Sequence, residues 1–600
     1  MSRNCPTEVG GRGTAFRALR GSRARVSVLL MRLRRSLTFC ASLSLLAGGL
    51  SACGKDGGDS EAGNADENSG GTGADVGDGD GDGDGDGESW AIDNIYGVTN
   101  RDDDDGNGKP DWMDPPFEGD DDLSPLVFSE AMVASMASTD TARLTLDGDL
   151  SGIRIWGAGD GAPLLGANSG SPEVSTLELS VDEMSGLSVE FIDYMVSSTL
   201  TVERVGEDGE TLDSTEVIVA GSPLILNHHL QPSEHLWVVS VNFGGGSNNA
   251  AMIMDFQDVF ADDFTAVAGN PYGGDVWIQD EIEFGTQVGS NGERQDVIVD
   301  SIRDRGLDNF AEDIAETVYA VDSWGVAGTG NSCDSFGNLE ISPPITVDGV
   351  EYPYGRIYYG DGGVGCRVTE ELRSFLDAQK VQAPFETDTS WLCVGHVDEF
   401  STFIPDPDSE KGFKFLYADT NEAWALLEAM DPSISLPRYL DTHGHGTVGE
   451  IVNDTELRTR NDGIQANYLD PILTQYKTEF GLTDDDIILI PSLFEQCGGP
   501  GYNVALTPGT PNLIVGTDAD GIKLIVPDTF VRTDDNDQAA DPFIADFRAR
   551  MPASYAPEDI IFTDNWRVYH ANLGEVHCGT NVRRTPDTPK WWEAVAHLID

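Results

Sequence analysis

Basic residues are scarce in this chain: 36 Lys and Arg stand against 104 Asp and Glu over 600 residues, a formal net charge of −68. That balance argues against nucleic acid and anionic membrane surfaces as partners, since both would repel the chain. Cationic substrates and bound calcium remain compatible with it. Long apolar runs are missing too; the stretch 36–50 is shorter than the roughly 20 residues a membrane helix needs. Neither the glycines at 244–246 nor His228 and His229 stand in a phosphate-loop or zinc context, and the HGHG at 443–446 has no further ligands beside it. What is present is a 39% hydrophobic fraction, ample for the cores of two to four domains.

Cysteine is sparse, with eight in all, and three of them lie before residue 54. There a basic MRLRR from Met31 precedes the apolar stretch, and Leu50-Ser51-Ala52-Cys53 is similar to a bacterial lipoprotein cleavage box. The resemblance implies a signal peptide over 1–53, a lipid on Cys53 holding the chain to a membrane, and an exported protein at a bacterial cell envelope or extracellular surface. Residues 54–91 are Gly, Asp, Ser and Glu, including GDGDGDGDGDG, and read as a disordered, self-repelling linker. The remaining cysteines are Cys333, Cys366, Cys393, Cys497 and Cys578. Five is odd, so at least one thiol stays unpaired within the chain, and spacing leaves the connectivity of the others open.

Segment 92–122 is an acidic calcium-binding candidate. Asp103, Asp105, Asn107, Asp111 and Asp114 set oxygen ligands around Gly106 and Gly108, as calcium requires; the segment resembles thrombospondin type 3 repeats. From 123 to 221, short β-type runs such as ARLTL, GIRIW and STLTVERV alternate with Gly, Asp and Ser turns, the pattern of an immunoglobulin-like β-sandwich. Over 222–600 strands alternate with helices, as when HLWVVSVNF precedes SNNAAMIMDFQDVFA, which makes an α/β domain.

Three stretches carry chemistry. GEVHCGTNVRR at 574–584 places Cys578 beside His577 with Arg583 and Arg584 following, a cationic setting expected to lower the thiol pKa and make a nucleophile. WLCVGHVDEF at 391–400 reads as a buried strand whose period of two puts His396 and Asp398 on one face. DVWIQDEIEFG at 275–285 reads as a strand with acidic side chains on both faces, which need cationic partners or metal.

Together with DSIRDRGL at 300–307, DSFGNLEISPPITVDGVEYPYGRI at 334–357 and KWW at 590–592, these stretches resemble the protein-arginine deiminase family, roughly from Ile95 onward. The resemblance implies a five-bladed, pentein-type α/β propeller after the sandwich, and calcium-dependent hydrolysis of peptidyl-arginine in a protein or peptide substrate. Cys578 would be the nucleophile, His396 the acid and base, and Asp280 and Asp398 the carboxylates gripping the guanidinium. Trp277 would lie along the arginine stem, with Arg303, Arg305 and Val394 also binding substrate. One calcium would take Gln279, Glu283, Glu340 and the carbonyls of Phe336 and Leu339; a second would take Glu281, Asp300, Ser301 and Asp304. Asp304 replaces a common family Asn, and Asn572 replaces an arginine that helps hold the substrate backbone. Two other readings stand beside this one: an enzyme of free guanidines such as arginine or agmatine, and a non-catalytic calcium-binding surface protein.

Overall fold

A computed structural model describes residues 90–599 apart from 105, 114–121, 160, 171, 316–318, 363–365, 519–520 and 588–589. The expected signal peptide, the lipid on Cys53, nearly all of the linker, Asp105 and Asp114 lie outside the described residues. No helix among the described residues is long and apolar enough to cross a membrane.

Alternating residues build the first architectural layer. In Thr141–Gly148, Ala142, Leu144 and Leu146 turn inward while Arg143 and Thr145 turn outward. Arg143 then pairs across strands with Glu178 and Glu203. Its sheet runs Ile95–Gly97, Thr211–Gly221, Ser197–Val205, Thr141–Gly148, Thr176–Ser180. A second sheet runs Ser124–Leu126, Leu187–Phe191, Ile153–Trp156, Leu165–Gly166. Leu144, Ile155, Val189, Val202 and Val219 belong to one core between them, so this part is a two-layer sandwich.

The acidic segment is tied to both sides of the molecule. Arg154 on the second sheet donates to the carbonyl of Trp112 (2.8 Å) and pairs with the buried Glu190 (3.2 Å), which also accepts from Asn100 (2.9 Å) and Trp156 (2.8 Å). A buried carboxylate so fully engaged avoids most of the desolvation cost of standing alone. On the other side, Arg101 pairs with Asp322 at 2.5 Å, and the Thr99 amide donates to Gln287 at 2.7 Å.

Beyond residue 222, five sheets among the described residues share one connectivity. In each, a first strand pairs antiparallel with a second, and the second pairs parallel with a third after at least one helix. The sets are Ile282–Val288, Arg294–Asp300, Tyr319–Asp322; Leu339–Ile341, Ile357–Asp361, Phe385–Asp388; and Ser401–Pro405, Phe413–Asp419, Ile487–Pro491. They continue with Ile514–Asp518, Gly521–Pro527, Ile560–Thr563 and close with Thr580–Arg584, Ser233–Ser240, Phe264–Ala268. Parallel pairs need a crossover, and the helices supply it. Helix Glu370–Gln379, for instance, buries Leu372, Leu376 and Gln379 at helical spacing. Because the last set takes its first strand from the end of the chain, Cys578 is stitched beside strands that begin near residue 233.

Candidate active site

Each of the five sets is entered through a polar or glycine residue just ahead of its first strand. Asp280, Gly337, Asn512 and Cys578 each stand two positions before their strands, and Asp398 stands three before Ser401–Pro405. The shared connectivity therefore delivers residues scattered over three hundred positions to one place.

Among the described residues Cys578 is the free cysteine, and it is buried. Its Sγ lies 3.4 Å from Asp398 Oδ2 and accepts from Asn512 Nδ2 at 3.1 Å. Asn512 Oδ1 accepts from the backbone amides of His577 (2.9 Å) and Cys578 (3.2 Å), so this side chain fixes the turn that presents the thiol. Asp398 Oδ2 also meets His577 Nδ1 at 2.9 Å, whereas Asp398 Oδ1 is enclosed with no hydrogen-bond partner. His396 Nε2 sits 2.7 Å from the carbonyl of Ser332, which only accepts, so that nitrogen carries the proton. Nδ1 is then the nitrogen left for acid and base work, and it faces Asp280 Oδ1 at 3.7 Å. Both His396 Nδ1 and Asp398 Oδ2 converge on Gly337, where a β-carbon would stand 2.8 and 3.0 Å from them.

Several expectations are corrected here. Residues 391–400 form no named strand: Val397–Glu399 is a 3-10 turn, because Glu399 accepts from the amides of Gly395 and His396 at 3.0 Å each and Gly395 adopts φ +91°. Strand structure in 275–285 begins only at Ile282, after a turn in which the Ile282 amide donates to the Ile278 carbonyl. The thiol is not in a cationic setting either. Arg583 pairs with Glu234, and Arg584 donates to the carbonyls of Gln231 and Val515. Burial, followed by the charges of Asp398 and Asp280, pushes the Cys578 pKa well above its ordinary value.

The expected substrate residues are near but already engaged. Arg303 and Arg305 both pair with Asp280 Oδ2, at 3.4 and 3.0 Å, so that guanidinium groups of the chain itself occupy this carboxylate. The Val394 carbonyl accepts from Ser332 Oγ at 2.7 Å. Trp277 packs edge-on against Tyr569 and lies so close to Gly574 that a β-carbon there would overlap its ring.

Both expected calcium sets fit a dication. Glu283 and Glu340 line a cavity of about 20 Å³ with Gln279, and Glu340 Oε1 is buried without a partner. Gln279 reaches both Glu283 (2.8 Å) and the Phe336 carbonyl (3.3 Å), while Leu339 follows on the same short turn. Burial raises Glu283 to about 7 and Glu340 well above the usual carboxylate range. In the second set both Glu281 oxygens and Asp300 Oδ1 are buried and unpartnered. Burial together with neighbouring carboxylates lifts Glu281 to about 7 and Asp300 to about 8. Ser301 donates to the Asp334 carbonyl at 2.9 Å, and Asp304 holds φ +48°. Crowded, unneutralised oxygens of this kind suit calcium, which takes six to eight of them. In the acidic segment Asp103 accepts from the amides of Asn107 (2.8 Å) and Gly108 (2.7 Å), and Asp111 gathers with Asp102 and Asp122, which the sequence reading had not singled out.

Asn512 and Ser332 were also missed. A lone Asn in PNLIVG carries no motif, and only its place ahead of a strand, repeated in the other four sets, marks it.

Residues 211–593 match the model of the family described as protein-arginine deiminase. Protein-arginine deiminase type-1 of Mus musculus is 32% identical over 447 residues, covering 70% of this chain and 61% of that protein. The type-1 protein of Homo sapiens is 33% identical over 435 residues, covering 69% and 62%. The chain thus spans about three-fifths of the length of these relatives. A C. jejuni agmatine deiminase structure aligns over 61% of this chain and 98% of its own, with 11% identity and a TM-score of 0.34. With the matched segment running through Asp280, His396, Asp398 and Cys578, the chain belongs to the protein-arginine deiminase family.

Proposed function

We propose that this chain hydrolyses peptidyl-arginine to peptidyl-citrulline and ammonia, in a calcium-dependent manner, through a thiouronium intermediate on Cys578. The observation that carries the reading is the free thiol beside Asp398, whose second oxygen is enclosed and lacks a donor. A guanidinium supplies such a donor together with a positive charge beside Asp398. Asp280 is the second grip, and its pairing with Arg303 and Arg305 supports its affinity for that group.

Substrate binding replaces those internal guanidiniums at Asp280 and neutralises Asp398, the foremost of the charges that hold the thiol protonated. The thiol proton passes to His396 Nδ1, Sγ attacks the central guanidinium carbon and forms the C–S bond, and the C–N π pair moves onto nitrogen. His396 Nδ1 gives a proton to the departing nitrogen, the C–N bond breaks and ammonia leaves. The same nitrogen then takes a proton from water, whose oxygen attacks the carbon; the C–S bond breaks and the thiol is restored. Calcium held by the two oxygen sets would neutralise their carboxylates and order the turn bearing Asp280.

The five sheets of like connectivity support a five-bladed, pentein-type arrangement, and the preceding sandwich supports an immunoglobulin-like middle domain over 123–221. Anchorage through Cys53 outside the cytoplasm belongs to the same proposal.

Citrulline release from a blocked arginine peptide, measured with millimolar calcium and with excess chelator, tests the reading. Release should need calcium and vanish in Cys578→Ala. Preference for free arginine or agmatine would select the small-guanidine reading, and absence of citrulline from every substrate would leave a calcium-binding surface protein.

A further inference from the structure

His229 belongs to neither expected calcium set, yet it is built into the same cavity. Its Nε2 lies 3.1 Å from His577 Nε2, and the two imidazoles stand edge to face. Glu340 closes the triangle, with Oε2 at 3.7 Å from His229 Nε2 and Oε1 at 3.6 Å from His577 Nε2. These three side chains are between 6 and 15% exposed.

Ligands held tetrahedrally at ~2.0–2.1 Å from zinc lie about 3.3–3.4 Å apart; the imidazole nitrogens at 3.1 Å are close to that edge length, and the two Glu340 oxygens stand one toward each imidazole at 3.6 and 3.7 Å. Glu340 Oε1 is buried and unpartnered beside the small cavity. Behind the imidazoles, His577 Nδ1 rests on Asp398 Oδ2 at 2.9 Å and His229 Nδ1 on Thr402 Oγ1 at 3.0 Å. A metal-bound imidazole commonly donates its other ring N–H to such an oxygen, which sets the tautomer and leaves Nε2 for the ion. Arg584, the cation lining the cavity, spends its donors on the backbone carbonyls of Gln231 and Val515.

We propose that His229, His577 and Glu340 form a site for an imidazole-seeking divalent ion of the zinc type, with water as fourth ligand. The site shares Glu340 with the first calcium set, so the two ions exclude each other. Imidazole nitrogens favour zinc and cobalt over calcium, whereas Gln279, Glu283 and the backbone carbonyls favour calcium. The mutual exclusion rests on the calcium reading above; the binding of zinc does not.

Cobalt is the probe, because its visible absorption separates tetrahedral from octahedral coordination without any turnover. Titration of the purified chain in calcium-free buffer should show one tetrahedral Co²⁺, displaced by Zn²⁺. In His229→Gln the affinity should fall at least about tenfold, with unfolding followed to confirm the fold. Thr402→Val keeps all three ligands and should weaken binding less, giving a second readout should His229→Gln fail to fold. Octahedral cobalt, or equal affinity in the variants, overturns the site. Calcium that binds alongside cobalt overturns the exclusion.

Discussion

Gly337 shows how little room surrounds His396 Nδ1 and Asp398 Oδ2. An added methyl would stand 2.8 Å from His396 Nδ1 and 3.0 Å from Asp398 Oδ2. Neither group can retreat freely, since His396 is held from behind by the Ser332 carbonyl and Asp398 by His577. Gly337→Ala should therefore lower kcat by about 100-fold, the scale set by misplacing a catalytic group by ~1 Å. The unfolding temperature should stay near that of the wild type, because the methyl meets the site and not the core. Steady-state kinetics alongside thermal unfolding checks this, and unchanged kcat would mean that the two groups do not work from these positions. That Cys578, His396, Asp280 and Asp398 stand together was readable in the sequence as a family pattern. The neighbours that hold them were not, because Asn512 and Ser332 act through single hydrogen bonds that no motif records.

At the scale of elements, hydrophobic runs were read as strands where turns stand. WLCVGHVDEF has the apolar content of a buried strand, but Gly395 and the carboxylate of Glu399 three positions after His396 make a capping turn instead. That spacing was visible in the sequence and was outweighed by periodicity. The turn is further pinned by two disulfides that the odd cysteine count left open. Cys333–Cys366 packs on Gly395, with both sulfurs within 4 Å of where a β-carbon there would be, while Cys393–Cys497 anchors the chain two residues ahead of Gly395. Ser332, beside Cys333, supplies the carbonyl on His396. Replacing both Cys333 and Cys366 by Ser should cost about 3–4 kcal/mol of stability, from the entropy of a loop 33 residues long. It should also lower kcat more than it changes KM, since His396 loses its backing while the guanidinium carboxylates keep theirs. Denaturation and kinetics of the variant test both parts, and a stability loss with kcat intact would reduce the disulfide to a purely structural staple.

For the whole molecule, charge and connectivity act together. Periodicity located the strands and helices beyond residue 222 but could not order them; the order follows from hydrogen bonds between distant segments, as when Thr580–Arg584 joins Ser233–Ser240. That closure draws carboxylates from separate sets into one buried region of a chain with net charge −68. Glu281 and Glu283, raised to about 7, and Asp300, raised to about 8, hold protons in the folded chain that the unfolded chain has already released near neutral pH. Their contribution to stability is therefore fully present below the ordinary carboxylate range and is lost as pH rises through about 7 to 8. Without calcium, the chain should lose stability between about pH 5 and 8, the reverse of a protein whose carboxylates are ion-paired. Calcium held by these carboxylates would take the place of those protons, so binding should release protons and tighten with pH until about pH 8. Between about pH 8 and pH 6 the affinity should fall roughly tenfold for each carboxyl with a pKa near 7. Unfolding temperatures in chelator and in calcium across that range, with calorimetric titration in two buffers of different ionisation enthalpy, measure both effects. A calcium affinity independent of pH, with no proton release, would mean that the ion binds away from these buried acids.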